Sequence, residues 1–441
     1  MSARRLLHRS LLSAAVLMLL ANALPAASAE EPPAADNADV LTGLIRDALA
    51  RNPELQSMQS SAEAKEKKVR PAGSLPDPML LLALSNVPVD DFSFSKADMT
   101  SKDIGFTQAL PFPGKLSLKE EVARLEAVQA GDRVESVRNL IRYRVRKDIF
   151  YLMENREVAR LTEKNKALLG ELLEVANSRY AVGKAPQQDL FKAQVEISRM
   201  EKMLIALRKQ GVALRADLNT LRDRPLDTPV PLPPSYPFPG LDRSEEELVE
   251  LAKASNPDLK REEDGIARNE AALRLARKQL LPDFQIGAAY KVRENADNGM
   301  TRPDFFSAAV GISIPLWAGR KQDQDVMAAE RELSAGRSGY GSALNAARNR
   351  IRDITADLSA MKESLSLYDT GLLPQARESI SASRSAYEVG QVEFASVLMG
   401  QLSLYQQEIE REKTAQAYRI RASELELVVG KELFPSEGAR Q

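Results

Sequence analysis

Asp283-Phe284-Gln285-Ile286-Gly287-Ala288-Ala289-Tyr290-Lys291-Val292 alternates without a break. Phe284, Ile286, Ala288, Tyr290 and Val292 fall on one side, and Asp283, Gln285, Gly287, Ala289 and Lys291 on the other. That period of two marks a strand with one apolar face and one small or polar face. A second run follows, in which Phe306, Ala308, Val310, Ile312 and Ile314 alternate with small or polar neighbours, and the polar loop 293–303 closes the pair into a hairpin. An earlier hairpin is less regular: residues 79–87, the polar loop 88–102, then Ile104 and Phe106 set against Asp103, Gly105 and Thr107. Strands of about nine to eleven residues cross a bilayer when tilted, and one long polar turn per hairpin fits a membrane barrel. The edge of a soluble sandwich would show the same alternation. In lipid, four strands leave two edges of unpaired backbone groups, so other subunits must complete the sheet. Eight strands from a dimer would give a side-chain-filled lumen, and twelve from a trimer an open pore.

The chain is written twice. Ala48-x-Ala50-x-Asn52-Pro53-Glu54-Leu55 returns as Ala252-x-Ala254-x-Asn256-Pro257-Asp258-Leu259, and Leu75-Pro76-Asp77 returns as Leu281-Pro282-Asp283. Pro111 with Gly114-Lys115 returns as Pro315 with Gly319-Arg320, and Tyr180-x-x-Gly183 as Tyr387-x-x-Gly390. Landmarks in one order at so long a spacing mean a duplicated half, not a short solenoid repeat.

Around the hairpins the period changes to that of helices. No proline interrupts 114–179, and Ile351, Ile354, Leu358, Met361, Leu365, Tyr368 and Leu372 step by three and four, the seam of a coiled coil. A helix of about 60 residues is roughly 90 Å long. Pro374 predicts a kink or local break in the second long helix. Shorter amphipathic helices, about 40–69 and 244–280, open the halves. Seven prolines between Pro225 and Pro239 predict a stiff, extended link.

The chain therefore reads as a signal peptide (1–29), a first repeat (30–224), a connector (225–243), a second repeat (244–434) and a tail (435–441). Its strands lie at about 79–87, 103–112, 283–292 and 305–316, and its long helices at about 114–179, 186–222, 320–386 and 393–430. The signal rests on Arg4, Arg5 and Arg9, an apolar stretch from Leu11 to Ala21, and the small residues Ala27-Ser28-Ala29. Removing it takes the net charge from −1 to about −4, which argues against a nucleic-acid partner. There is no cysteine, and the single histidine, His8, lies in the signal. That excludes thiolate metal sites and the commonest general base. The ten methionines beyond the signal are scattered and read as core filler. Neither a nucleophile elbow nor a phosphate-binding glycine loop is present. No catalytic residue, cofactor or metal site is expected.

At these same residues the chain resembles the TolC family of outer-membrane efflux channels. The resemblance rests on Asn-Pro-x-Leu near the start of each half, Leu75-Pro76-Asp77-Pro78 and Gln108-Ala109-Leu110-Pro111-Phe112-Pro113-Gly114-Lys115. It continues in Tyr180-Ala181-Val182-Gly183-Lys184-Ala185-Pro186-Gln187-Gln188-Asp189 and Ala386-Tyr387-Glu388-Val389-Gly390. The Pro-Phe-Pro-Gly-Lys form looks most like members of the CzcC and CusC type, which serve heavy-metal resistance-nodulation-division pumps. The resemblance implies a mainly helical fold with a membrane β-barrel part: a homotrimer with a twelve-stranded barrel on a long periplasmic α-barrel. The molecule would sit in the outer membrane of a Gram-negative bacterium, in contact with its lipid. It would conduct substrate passively from an inner-membrane pump and a periplasmic adaptor. A periplasmic coiled-coil adaptor or scaffold without a pore is the alternative, and the paired strand hairpins tell against it.

The resemblance also assigns sites. The turns at Val182-Gly183 and Val389-Gly390, with Tyr180, Lys184 and Tyr387 beside them, correspond to the tips that meet the adaptor. The helix after the second tip corresponds to the closed entrance. There the best-known relatives carry two aspartates, whereas this chain has Ser396 and Met399, with only Glu393 nearby. Glu393, Ser396 and Met399 are the candidate entrance gate, and the departure weakens the case for a cation-binding acidic one.

Overall fold

The repeated Asn-Pro pair explains the start of each half. A computed structural model describes residues 37–233 and 236–434, so the expected signal peptide and tail lie outside the described residues. Helix α1 (Asn37–Arg51) ends at Asn52, and α2 (Pro53–Lys67) begins on Pro53. The Asn52 side chain accepts from the Leu55 N–H at 3.1 Å and donates to the Leu221 carbonyl at 2.9 Å. Asn256 does the same between α6 (Glu245–Ser255) and α7 (Pro257–Lys278), accepting from Leu259 at 3.1 Å and donating to Val428 at 2.6 Å. Proline suits the first helical position and asparagine the cap before it. Each opening stretch is thus two helices with a corner, not the single helix that periodicity alone predicts. The asparagine of that corner also ties down the end of the half's return helix.

A short helix, α3 (Val69–Gly73), leads into β1 (Met79–Ser85) and β2 (Ser101–Leu110). In the second half α7 leads into β3 (Asp283–Val292) and β4 (Phe305–Ser313). The four strands form one antiparallel sheet in the order β1-β2-β3-β4, with β1 and β4 at its edges. The register sets Leu80, Phe106, Ala288 and Ala308 across from one another on one face, and Leu81, Gly105, Ala289 and Ser307 on the other. The first face also carries Leu82, Ile104, Tyr290, Phe306, Ile286, Val310 and Ile312, all about half exposed or more. The second carries Thr107, Gly287, Gly311 and the Asp103–Lys291 pair. The first face is mainly apolar, whereas the second mixes these small and polar residues with the exposed Met79, Leu81 and Phe305.

From the sheet the chain runs into α4 (Lys115–Ala181), 67 residues and so about 100 Å long. It returns through α5 (Gln187–Leu221). The second half repeats this with α8 (Gln322–Leu367), α9 (Leu373–Glu388) and the return helix α10 (Phe394–Val429). Between α8 and α9 the backbone widens into a π-turn over Tyr368–Leu372. Pro374 can give no N–H to the turn before it, and the extra residue absorbs that loss. The widened turn places Asp369 within reach of both Nε and an Nη of Arg411, at 3.1 and 3.2 Å.

Apolar clusters lie in series along these helices. One joins α4, α5, α9 and α10 toward the helix turns; a second joins α1, α2, α4 and α5; a third joins α6, α8 and α10. The proline-rich connector crosses this region as a strap. Its carbonyls accept from Arg156 (Pro233, 2.8 Å), Arg419 (Tyr236, 2.5 Å) and Tyr418 (Pro239, 2.6 Å), while Tyr236 packs edge-on against Phe150. No helix among the described residues is long and apolar enough to cross a membrane.

Candidate docking tips and entrance

The two helix turns share one closure. At the end of α4, Gly183 N–H bonds to the Tyr180 carbonyl at 2.9 Å and Lys184 N–H to the Arg179 carbonyl at 2.8 Å. At the end of α9, Gly390 bonds to Tyr387 and Gln391 to Ala386, both at 2.9 Å. This is the Schellman pattern, which needs a left-handed residue after the helix. Gly183 and Gly390 supply it, with φ of 71° and 82°.

The residues around the turns divide. Val182, Lys184 and Val389 are exposed, with Val182 and Val389 open over two thirds of their surface. Tyr180 is 43% exposed, but Tyr387 is 3% exposed and packs edge-on against Phe394. The repeated tyrosines therefore have different surroundings, one at the tip surface and one in the core. Arg179 makes the difference. Its guanidinium lies 4.6 Å from the centre of the Tyr387 ring and donates to the Tyr387 carbonyl, joining the two tips. Arg179 carries no signal in the repeated sequence, because its counterpart in the second half is Ala386. Burial pushes the Tyr387 hydroxyl up from its ordinary pKa. Between the tips lies an open groove of about 690 Å³, bordered by Val182, Lys184, Val389 and the charged side chains Glu171, Arg384 and Glu388. Arg384 reaches Glu171 at 3.3 Å and Glu388 at 3.8 Å.

Past the second tip, Glu393 is the N-cap of α10, and Glu393, Ser396 and Met399 stand on one exposed stripe that continues to Ser403 and Gln406. The opposite face, with Phe394, Val397, Leu398, Gln401 and Tyr405, is buried. Two buried polar contacts hold it against α4: Thr162 with the Tyr405 hydroxyl at 2.8 Å, and Gln401 Nε2 donating to Asn165 at 2.9 Å. Buried polar pairs of this kind fix the register of a helix pair. Among the described residues no group of three or more His, Cys, Asp or Glu side chains is placed to hold a metal ion.

The family model for outer membrane efflux proteins matches residues 44–222 and 248–431. The chain belongs to that family. This efflux channel is similar to the cobalt-zinc-cadmium resistance protein CzcC of Cupriavidus metallidurans, at 24% identity over 303 residues covering 67% of this chain and 69% of that one. Its fold is that of solved outer-membrane channels. It superposes on CusC with a TM-score of 0.76 at 15% identity, covering 89% of this chain and 92% of that one. It superposes on VceC of Vibrio cholerae with a TM-score of 0.72 at 18% identity, covering 89% and 96%. The function is that of the exit channel of a tripartite efflux system.

Proposed function

We propose that the channel works as a homotrimer in the outer membrane, its twelve strands forming the pore and its helices a tube that continues into the periplasm. The observation that carries this reading is the sheet. It has one mainly apolar face, a second face rich in small and polar residues and two open edges, above helices too long for a compact core. A scaffold without a pore would have no use for such a sheet. A periplasmic adaptor would dock at the paired tips, meeting Tyr180, Val182, Lys184, Val389 and the groove between them. Energy would come from an inner-membrane resistance-nodulation-division pump. The likeness to CzcC and CusC supports a transition-metal ion as the substrate. The channel would pass the ion without binding it tightly, since it lacks cysteine and its one histidine is His8.

Deletion of the gene should raise sensitivity to zinc, cobalt, cadmium or copper, and the intact gene should restore resistance. Outer-membrane fractions should contain heat-resistant trimers that conduct in planar bilayers. A soluble periplasmic monomer would sink the reading, and restored tolerance to organic compounds alone would remove the metal from it.

A further inference from the structure

The duplication completes one junction inside the chain and leaves its counterpart split between the two edges. Where the halves meet, between β2 and β3, the buried Lys115 donates to Asp283 at 2.8 Å and to the Leu281 carbonyl at 2.7 Å. Asp283 also accepts from the Phe112 N–H at 2.8 Å. Both sides of this junction are repeated motifs: Gly114-Lys115 corresponds to Gly319-Arg320, and Leu281-Pro282-Asp283 to Leu75-Pro76-Asp77. Arg320 follows the open edge β4 and Asp77 precedes the open edge β1. Both are exposed, and neither has an ion pair among the described residues.

The helices show the same asymmetry. Helix α7 packs against both α4 and α8 and is partly buried along most of its length, whereas its counterpart α2 packs against α4 and is mostly exposed. Eight and twelve residues past the second tip glycine, Leu398 and Leu402 pack into the core; the same places past the first, Phe191 and Val195, are 55% and 51% exposed.

We propose that a second copy of this chain completes each split junction, with Arg320 of one copy paired to Asp77 of the next. This rests on the trimeric reading above. The β2–β3 register pairs Gln108 with Ile286, Thr107 with Gly287 and Gly105 with Ala289. Carried over by the offsets that flank the strands, 204 from Pro111 to Pro315 and 206 from Asp77 to Asp283 with the one extra residue of the second half placed after Pro315, it sets Ile312 opposite Leu80, Gly311 opposite Leu81 and Ala309 opposite Ala83 of the next copy. Ile312 and Leu80 both belong to the apolar face, and Gly311 and Leu81 to the other, so the transferred register keeps the faces continuous. A slip by one residue would reverse them. A slip by two would not, and the cross-linking pairs below distinguish it.

The absence of cysteine makes the test direct. Directly opposed residues in an antiparallel pair have Cβ atoms about 4.5–5.5 Å apart, within reach of a short bifunctional thiol reagent. The full chain carrying Ala309→Cys with Ala83→Cys should give mostly covalent trimer on a non-reducing gel. Ala309→Cys with Leu81→Cys, or with Ser85→Cys, should give at least fivefold less. Efficient coupling of either off-register pair would overturn the register. Native trimers that couple in none of the three variants would overturn the seam while leaving the trimer standing. Monomers throughout would remove the trimeric reading itself. For the ion pair, Asp77→Arg and Arg320→Asp should each lower trimer yield severalfold, and the two together should recover most of it. Lack of recovery, with the single variants still folded by circular dichroism, would overturn the pairing.

Discussion

Gly183 and Gly390 are the residues whose chemistry most directly limits the tips. Their positive φ values cost an ordinary side chain about 1–2 kcal/mol, and more for a β-branched one. A Cβ on Gly183 meets nothing within 4 Å, so the cost there would be backbone strain alone; on Gly390 it would also lie 3.3 Å from the Arg179 guanidinium. The double Gly183→Val, Gly390→Val variant should still insert as trimers, because the sheet lies at the far end of α4. Metal resistance and adaptor crosslinking should fall, and wild-type values for both would show that tip geometry does not matter for docking. A second residue-scale prediction concerns pH. Burial, together with the nearby Asp217, pushes Asp148 on α4 up to about 6. The folded state then binds more protons than the unfolded one between about pH 4 and 6, so this group's contribution falls as pH rises through that window. Asp148→Asn should stabilise the protein at pH 8 by on the order of 1 kcal/mol once screening by water is allowed for, and hardly at pH 4.5. Equal shifts in melting temperature at both pH values would refute the assignment.

Strands test the facing. Arg in place of Ile286 or Ile312 should cost about 2–4 kcal/mol near the bilayer midplane and reduce trimer yield. Arg in place of Gly287 or Gly311 should leave assembly intact and change conductance. Equal assembly defects from both sets, read as trimer band intensity, would mean the faces are misassigned. The two faces were legible in the sequence because pleating imposes a period of two whatever the surroundings. The coiled-coil seam and the break near Pro374 were legible for similarly local reasons. Strand ends were less so: β2 begins at Ser101, earlier than alternation shows, because its first residues are fixed by backbone pairing to Ser85 and Val292. The corner at Asn52 was visible as a motif but not as a break, since its meaning depends on the distant carbonyl of Leu221. Arg179 left no trace, because its partner Tyr387 lies in the other half and the contact has no repeat.

For the whole molecule, the prediction concerns the proposed entrance at the start of α10. The exposed stripe of α10 presents Glu393, Ser396, Met399, Ser403 and Gln406, with one carboxylate among them. Around a threefold axis, three copies of Glu393 would form a single ring of like charge at the narrow end of the tube. Such a ring favours cations over anions and is weakened by salt, because its charges face water within a Debye length of about 10 Å at 0.1 M. One ring grips a trivalent ion less firmly than several stacked rings, so block of the unmodified channel should be weak and should fade as salt rises. Ser396→Asp with Met399→Asp adds two rings, about one and two turns further along the helix, and should lower the blocking concentration by tenfold or more. Planar-bilayer conductance with a titrated trivalent cation measures this. Tight block of the unmodified channel that survives Glu393→Gln would place the constriction on other residues, whereas weak block abolished by that substitution would place it at the start of α10.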